Sequence, residues 1–121
     1  MKSVKSVKTL FLDINEIIES IRLSLDLSQE GLARILGVSV RTVVRWEKEG
    51  DLPPALEMER FELIHEVVEI AKDIMESKEI PKWFRNPKES LAGLRAIDLL
   101  ATFRGIKKVQ DSLEKVRWGI F

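Results

Sequence analysis

Little in these 121 residues could make or break a covalent bond. The chain has no cysteine, no tyrosine and a single histidine, which removes thiol nucleophiles, disulfides, thiolate metal sites and any histidine metal cage within one chain. Carboxylates, lysines and serines remain, and no spacing among them pairs a nucleophile with a base. The expectation is therefore a protein that is no enzyme and holds neither metal nor cofactor. What is left is the chemistry of recognition. Residues 27 to 46 carry Glu30 against Arg34, Arg41 and Arg45, a locally basic stretch that could meet a phosphate backbone although the whole chain is neutral; a solvated mixed-charge surface is the plainer alternative. At the far end, Trp118, Ile120 and Phe121 set two aromatics and an aliphatic where exposed apolar groups serve as interface anchors. Phe121 could instead fold back over Leu113 or Val116.

The elements that must position these groups read as helices. With 45% apolar and 33% charged residues, the composition is globular, and a chain of this length buries roughly 65% of its unfolded surface. It fits one small domain or two sharing a core. No apolar run approaches the roughly 20 residues that a membrane span requires, and the first residues, broken by Lys5 and Lys8, lack the pattern of a signal peptide. Ile14, Ile17, Ile18, Ile21 and Leu25 follow a helical rhythm after Asp13 as N-cap. Ser28 caps a short helix from Gln29 to Leu36, Gly37 suits the left-handed turn behind it, and Ser39 caps a third helix with Val43 and Trp46 inward. Two short helices across a glycine turn make a helix-turn-helix candidate.

Gly50, Pro53 and Pro54 close this region, and residues 55 to 77 read as one long helix. At 100° per residue, Phe61, Ile64, Val68, Ala71 and Met75 share a sector, and Leu63, Val67, Ile70 and Ile74 fill its neighbour. Glu62, His65, Glu66, Glu69, Lys72, Asp73 and Glu76 take the rest, with His65 on the solvated face. An apolar arc of about 180° exceeds what one packing contact needs. It implies burial between two bodies: the preceding helices and the tail in preference to a second copy of the chain. Residues 55 to 79 hold 8 acidic and 3 basic groups and residues 80 to 121 hold 4 and 9, so an acidic middle balances a basic tail. In that tail Asn86 and Pro87 read as the start of a short helix, Gly93 separates it from another over Ala96 to Ala101, and Thr102 caps a last helix with Phe103, Ile106, Val109, Leu113 and Val116 on one face.

The segment LSQEGLARILGVSVRTVVRWEKEG, Leu27 to Gly50, resembles the Xre-type, phage-repressor-like helix-turn-helix. The likeness rests on Ser28-Gln29-Glu30, Leu32-Ala33, Gly37-Val38-Ser39, Thr42-Val43 and Arg45-Trp46-Glu47. It implies that Arg22 pairs with Glu47 and that the second helix enters the major groove by its N-terminal end. Ser39, Val40, Arg41 and Arg45 would then face bases, with an arginine on guanine and Val40 near a thymine methyl. Gln29 and Thr42 would meet phosphates, which set register without reading sequence. Val44 departs from the usual polar surface there, and a degenerate motif used only for dimerisation is the alternative. One small module with few cations needs a homodimer on half-sites about one helical turn apart.

Residues 83 to 121 resemble the C-terminal toxin-binding domain of Xre/MbcA/ParS-type antitoxins, through Trp83-Phe84, Pro87, Leu91, Gly93, Leu99-Leu100, Gly105, Val109, Leu113 and Gly119-Ile120-Phe121. Lys88 and Ala96 depart from that pattern. The resemblance implies an antitoxin that represses its own operon and neutralises a RES-domain toxin, a NAD-consuming or ADP-ribosylating enzyme. Trp83, Arg117, Trp118, Gly119, Ile120 and Phe121 would hold the toxin. The expected architecture is all-α: an N-terminal arm (1–12), the helix-turn-helix (13–54), a long connecting helix (55–79) and a small helical toxin-binding domain (80–121). Operator DNA, the toxin and a second copy are the expected partners, in the cytoplasm and without a membrane. A stand-alone repressor whose tail dimerises is the alternative.

Overall fold

A computed structural model describes residues 13–119; the expected arm, 1–12, and the anchors Ile120 and Phe121 lie outside them. Helix α1, Ile14–Leu25, begins where the Glu16 carboxylate accepts the backbone N–H of Asp13 at 3.0 Å, a reciprocal start that satisfies an otherwise orphaned donor. It buries Ile14, Ile17, Ile18, Ile21 and Leu25. Helix α2, Gln29–Leu36, opens with the Ser28 hydroxyl accepting from Gly31 N at 2.9 Å and closes at Gly37, φ +75°. Helix α3, Val40–Lys48, opens with Ser39 Oγ accepting from Thr42 N at 3.1 Å. It drives Val43 and Trp46 into the core, where Trp46 meets Phe61 edge to face at 5.8 Å.

Helix α4, Ala55–Ile74, is the axis of the molecule and packs against α1 on one side and the last helix on the other. Phe61, Ile64, Val67, Val68, Ile70 and Ala71 are buried and Leu63, Ile74 and Met75 pack half-buried beside them. The wide apolar arc is thus covered within one chain. The helix stops at Ile74, before the expected residue 77, because Met75 turns to extended backbone. His65 corrects the helical-wheel reading: it is 1% exposed, not solvated, with its Nε2 3.5 Å from Glu69 Oε2. Glu69 also accepts from Lys72 Nζ at 3.2 Å. A wheel gives the direction of a side chain but not how far its neighbours wrap, and a polar pair spaced i, i+4 can go under cover together.

A 3-10 turn, Ser77–Glu79, leads into α5, Ile80–Arg85. Asn86 and Pro87 then do not start a helix. Asn86 N donates to Lys82 O at 3.0 Å, ending α5. Pro87–Lys88 (β1) pairs antiparallel with Leu94–Arg95 (β2), Pro87 opposite Arg95 and Lys88 opposite Leu94. The residue before a proline is pushed to extended backbone, which serves an N-cap and a strand entry equally. Three residues of 3-10 turn, Glu89–Leu91, and the left-handed pair Ala92 and Gly93 close the hairpin. The expected helix over Ala96 to Ala101 is a 3-10 turn, Ala96–Leu99, pinned by Arg95 forking onto Asp98 at 2.7 and 2.9 Å. Helix α6, Phe103–Arg117, is capped by Thr102 Oγ1 accepting from Gly105 N at 3.0 Å. Ile106, Val109 and Leu113 face the core as expected, but Phe103, in the first turn, stays 39% exposed. The architecture is all-α with one two-residue-per-strand hairpin, and no described helix is long and apolar enough to cross a membrane.

Candidate nucleic-acid and protein interfaces

Helix α3 is held from behind by one carboxylate. Glu47, 4% exposed, accepts at Oε1 from Arg22 Nε at 3.2 Å and from Gln29 Nε2 at 3.0 Å, while Lys48 Nζ stands 3.9 Å from its Oε2. The Arg22–Glu47 pair is the one the resemblance implied. Gln29's part in it was not foreseen: its side-chain amide is turned inward to α3. The pairing ties α1, α2 and α3 together, which fixes the outer surface of α3.

On that surface Ser39 and Thr42 face each other, hydroxyl to hydroxyl at 2.8 Å; Ser39 is exposed, and its oxygen also caps α3. Val40 is 37% exposed and Arg41 is exposed, with Val44 half-buried next to them. Arg45 Nε donates to Asp51 Oδ2 at 3.0 Å, and Asp51 N in turn donates to Arg45 O at 3.2 Å. Asp51 was not singled out in the sequence, although its place five residues after Trp46, in the turn behind α3, sets it within reach. Both partners are exposed, a setting in which an ion pair contributes about 0.2–1 kcal/mol. Arg45 can therefore exchange Asp51 for a stronger acceptor at small cost. Ser39, Val40, Arg41 and Arg45 lie along the open face of α3, and Gln29 and Thr42 at the starts of α2 and α3.

The second surface is at the other end. Trp83, half-buried, meets Phe84 edge to face at 5.1 Å and carries the Lys88 ammonium 4.6 Å over its ring, a cation–π contact. Burial pushes the Lys88 pKa below the ordinary lysine value. Trp83 and Lys88 form one wall of an open groove of about 580 Å³ whose other wall is Lys115 and Val116 of α6. At its base Ser90 and Ser112 hydroxyls lie 2.6 Å apart. One turn further, Arg117 pairs with Glu114 at 3.2 Å, and Trp118 is 72% exposed. Gly119 takes φ +71°, a left-handed turn that a side chain would strain. Trp83 thus faces Val116 in the last turn of α6 across the groove, and Arg117, Trp118 and Gly119 follow at the end of that helix, whereas Ile120 and Phe121 are outside the described residues. Among the described residues no group of histidine and carboxylate side chains could hold a metal ion.

Residues 18–62 match a helix-turn-helix family, and residues 71–119 match the antitoxin Xre/MbcA/ParS C-terminal toxin-binding domain. No curated protein matches the chain. Its fold is similar to a chain in the crystal structure of the M. tuberculosis MbcT-MbcA toxin-antitoxin complex, with a TM-score of 0.73 at 20% identity, over 88% of this chain and 96% of that one. With a helix-turn-helix in front and that toxin-binding domain behind it, the chain has the domain architecture of the Xre/MbcA/ParS-type antitoxins.

Proposed function

We propose that the chain neutralises a RES-domain toxin, a NAD-consuming or ADP-ribosylating enzyme, by direct binding, and represses its own operon through the helix-turn-helix. The observation that carries the toxin-binding half is Trp118: a large aromatic 72% exposed at the end of the toxin-binding domain, two residues beyond Val116, which lines the Trp83 groove. So much apolar surface at a helix end is costly in water and suits a partner's pocket. The similar fold from M. tuberculosis comes from a toxin-antitoxin complex, which supports a toxin as the partner here. In this reading Trp83, Arg117, Trp118 and Gly119, with Ile120 and Phe121 beyond them, dock on the toxin and obstruct its active site. Arg41 and Arg45 read base edges, while Thr42 and the start of α2 at Gln29 meet phosphates, on half-sites bound by a homodimer.

Deleting Gly119 to Phe121 abolishes protection of cells expressing the neighbouring toxin gene and leaves operator binding intact; a truncated chain that still protects overturns the plug. Arg41→Ala with Arg45→Ala abolishes the preference for operator over random duplex in a gel shift at fixed salt, and an unaltered preference removes these side chains from base reading. If the chain binds operator but co-purifies with no neighbouring gene product, it is a repressor whose C-terminal unit serves dimerisation.

A further inference from the structure

Between α2 and the C-terminal unit runs an open groove of about 390 Å³ that neither the base-reading side chains nor the end of α6 enters. Three guanidiniums line it, from three different elements: Arg34 of α2, Arg85 of α5 and Arg95 of β2. Asp98 is the one carboxylate among its walls, and Leu27 and Ile97 give it an apolar side. Arg85 is immobilised, with Nη1 donating to Leu25 O at 2.6 Å and Nη2 to Asp26 O at 2.9 Å. Arg95 spends two of its five N–H donors on Asp98, so three remain for another acceptor. Arg34 is exposed.

Place decides what such a groove is for. Leu27 directly precedes the Ser28 cap of α2, and Gly31 lies in its first turn. The groove therefore begins beside the helix start at which the DNA reading sets a phosphate, and it continues over the hairpin of the C-terminal unit. Planar guanidinium forks match phosphate oxygens, and three of them against one carboxylate leave the groove net positive.

We propose that this groove carries the sugar-phosphate backbone of DNA flanking the half-site, so that the toxin-binding unit is also part of the operator-binding surface. The inference rests on the DNA reading of α3 and extends it to side chains that touch no base. DNA is favoured over an acidic protein segment because the groove is continuous with the helix start that faces phosphate and lies apart from the Trp83 and Trp118 surface.

The test uses the full-length chain and operator duplexes with native flanks, titrated over a range of NaCl concentrations. Each phosphate contact contributes about 0.9 to the slope of log K against log salt. Arg34→Gln with Arg95→Gln is expected to lower that slope by about 2 and to weaken operator binding roughly 10-fold at physiological salt, with the ranking of base-pair variants unchanged. Asp98→Asn, which frees the Arg95 fork, is expected to tighten binding, a change of sign that damage to the fold does not produce. An unchanged slope in the double variant overturns the proposal. So does a double variant that loses the toxin while keeping its slope, since the groove then takes an acidic protein segment. If the wild-type chain shows no preference for its operator, the reading of α3 fails and the groove with it; a wild type that prefers its operator, beside a double variant of equal slope, fells the groove alone.

Discussion

A carboxylate 4% exposed, as Glu47 is, persists in a small core only because two donors from two other helices converge on one of its oxygens. An unpaired buried charge is costly, and so is the partner left behind when one member goes. Glu47→Ala strands Arg22, whose side chain keeps 18% exposure and so some access to water. The expected loss is about 2–3 kcal/mol, read as a lower urea midpoint with an unchanged m-value. On the proposed DNA reading, operator affinity is expected to fall with it, since α3 loses its tie to α1 and α2. Arg45 and Asp51 behave oppositely: both are exposed, and Asp51→Ala leaves stability within about 0.5 kcal/mol. On the same proposed reading it frees the Arg45 fork and is expected to raise affinity for operator DNA in the gel shift.

Among the elements, the hairpin and the start of α6 are where local chemistry left the most undecided. Asn86 and Pro87 carry a signal for extended backbone followed by a fixed φ, and this serves a helix start or a strand pair until Leu94 and Arg95 arrive opposite. Gly105 is needed for a reason that no local rule supplies. A Cβ there would sit 1.9 Å from Leu99 O, because the 3-10 turn Ala96–Leu99 passes directly over the first turn of α6. Gly105→Ala, ordinarily favourable in a helix by up to about 1 kcal/mol, is expected here to cost about 3 kcal/mol through backbone overlap. A thermal melt of the variant at or above the wild-type midpoint would contradict that packing.

At the scale of the whole molecule, two arginines make one body of what the sequence divides into domains. Arg60 of α4 donates to the Leu36 carbonyl at 3.3 Å, to the Ala101 carbonyl before α6, and to Glu57. Arg85 reaches from α5 to the carbonyls that end α1. Each closes the end of one of the N-terminal helices with a side chain from behind it, which satisfies orphaned carbonyls. Arg85→Met keeps the aliphatic stem and loses those bonds. Since hydrogen bonds from charged donors contribute about 1.5–3 kcal/mol, a loss of about 2–3 kcal/mol is expected. Hydrogen exchange should rise at the junction of α1 and α2, and an unchanged exchange pattern there would show that the two units do not lean on each other.

The sequence alone determined every element whose evidence is local and periodic: the Ser28, Ser39 and Thr102 caps, the Gly37 turn, the apolar faces of α1 and α6, and the demand of α4 for cover on two sides. Those signals are carried by backbone geometry and by a repeat of 3.6 residues, which neighbours in the chain suffice to express. It did not determine that His65 lies under cover with Glu69, that Phe103 stays at the surface, that Gln29 turns to Glu47, or that Arg34, Arg85 and Arg95 line one groove. Each of these depends on how far one element wraps another. That is settled by the packing of segments as many as 60 residues apart, such as Leu25 and Arg85, and so only by the tertiary structure.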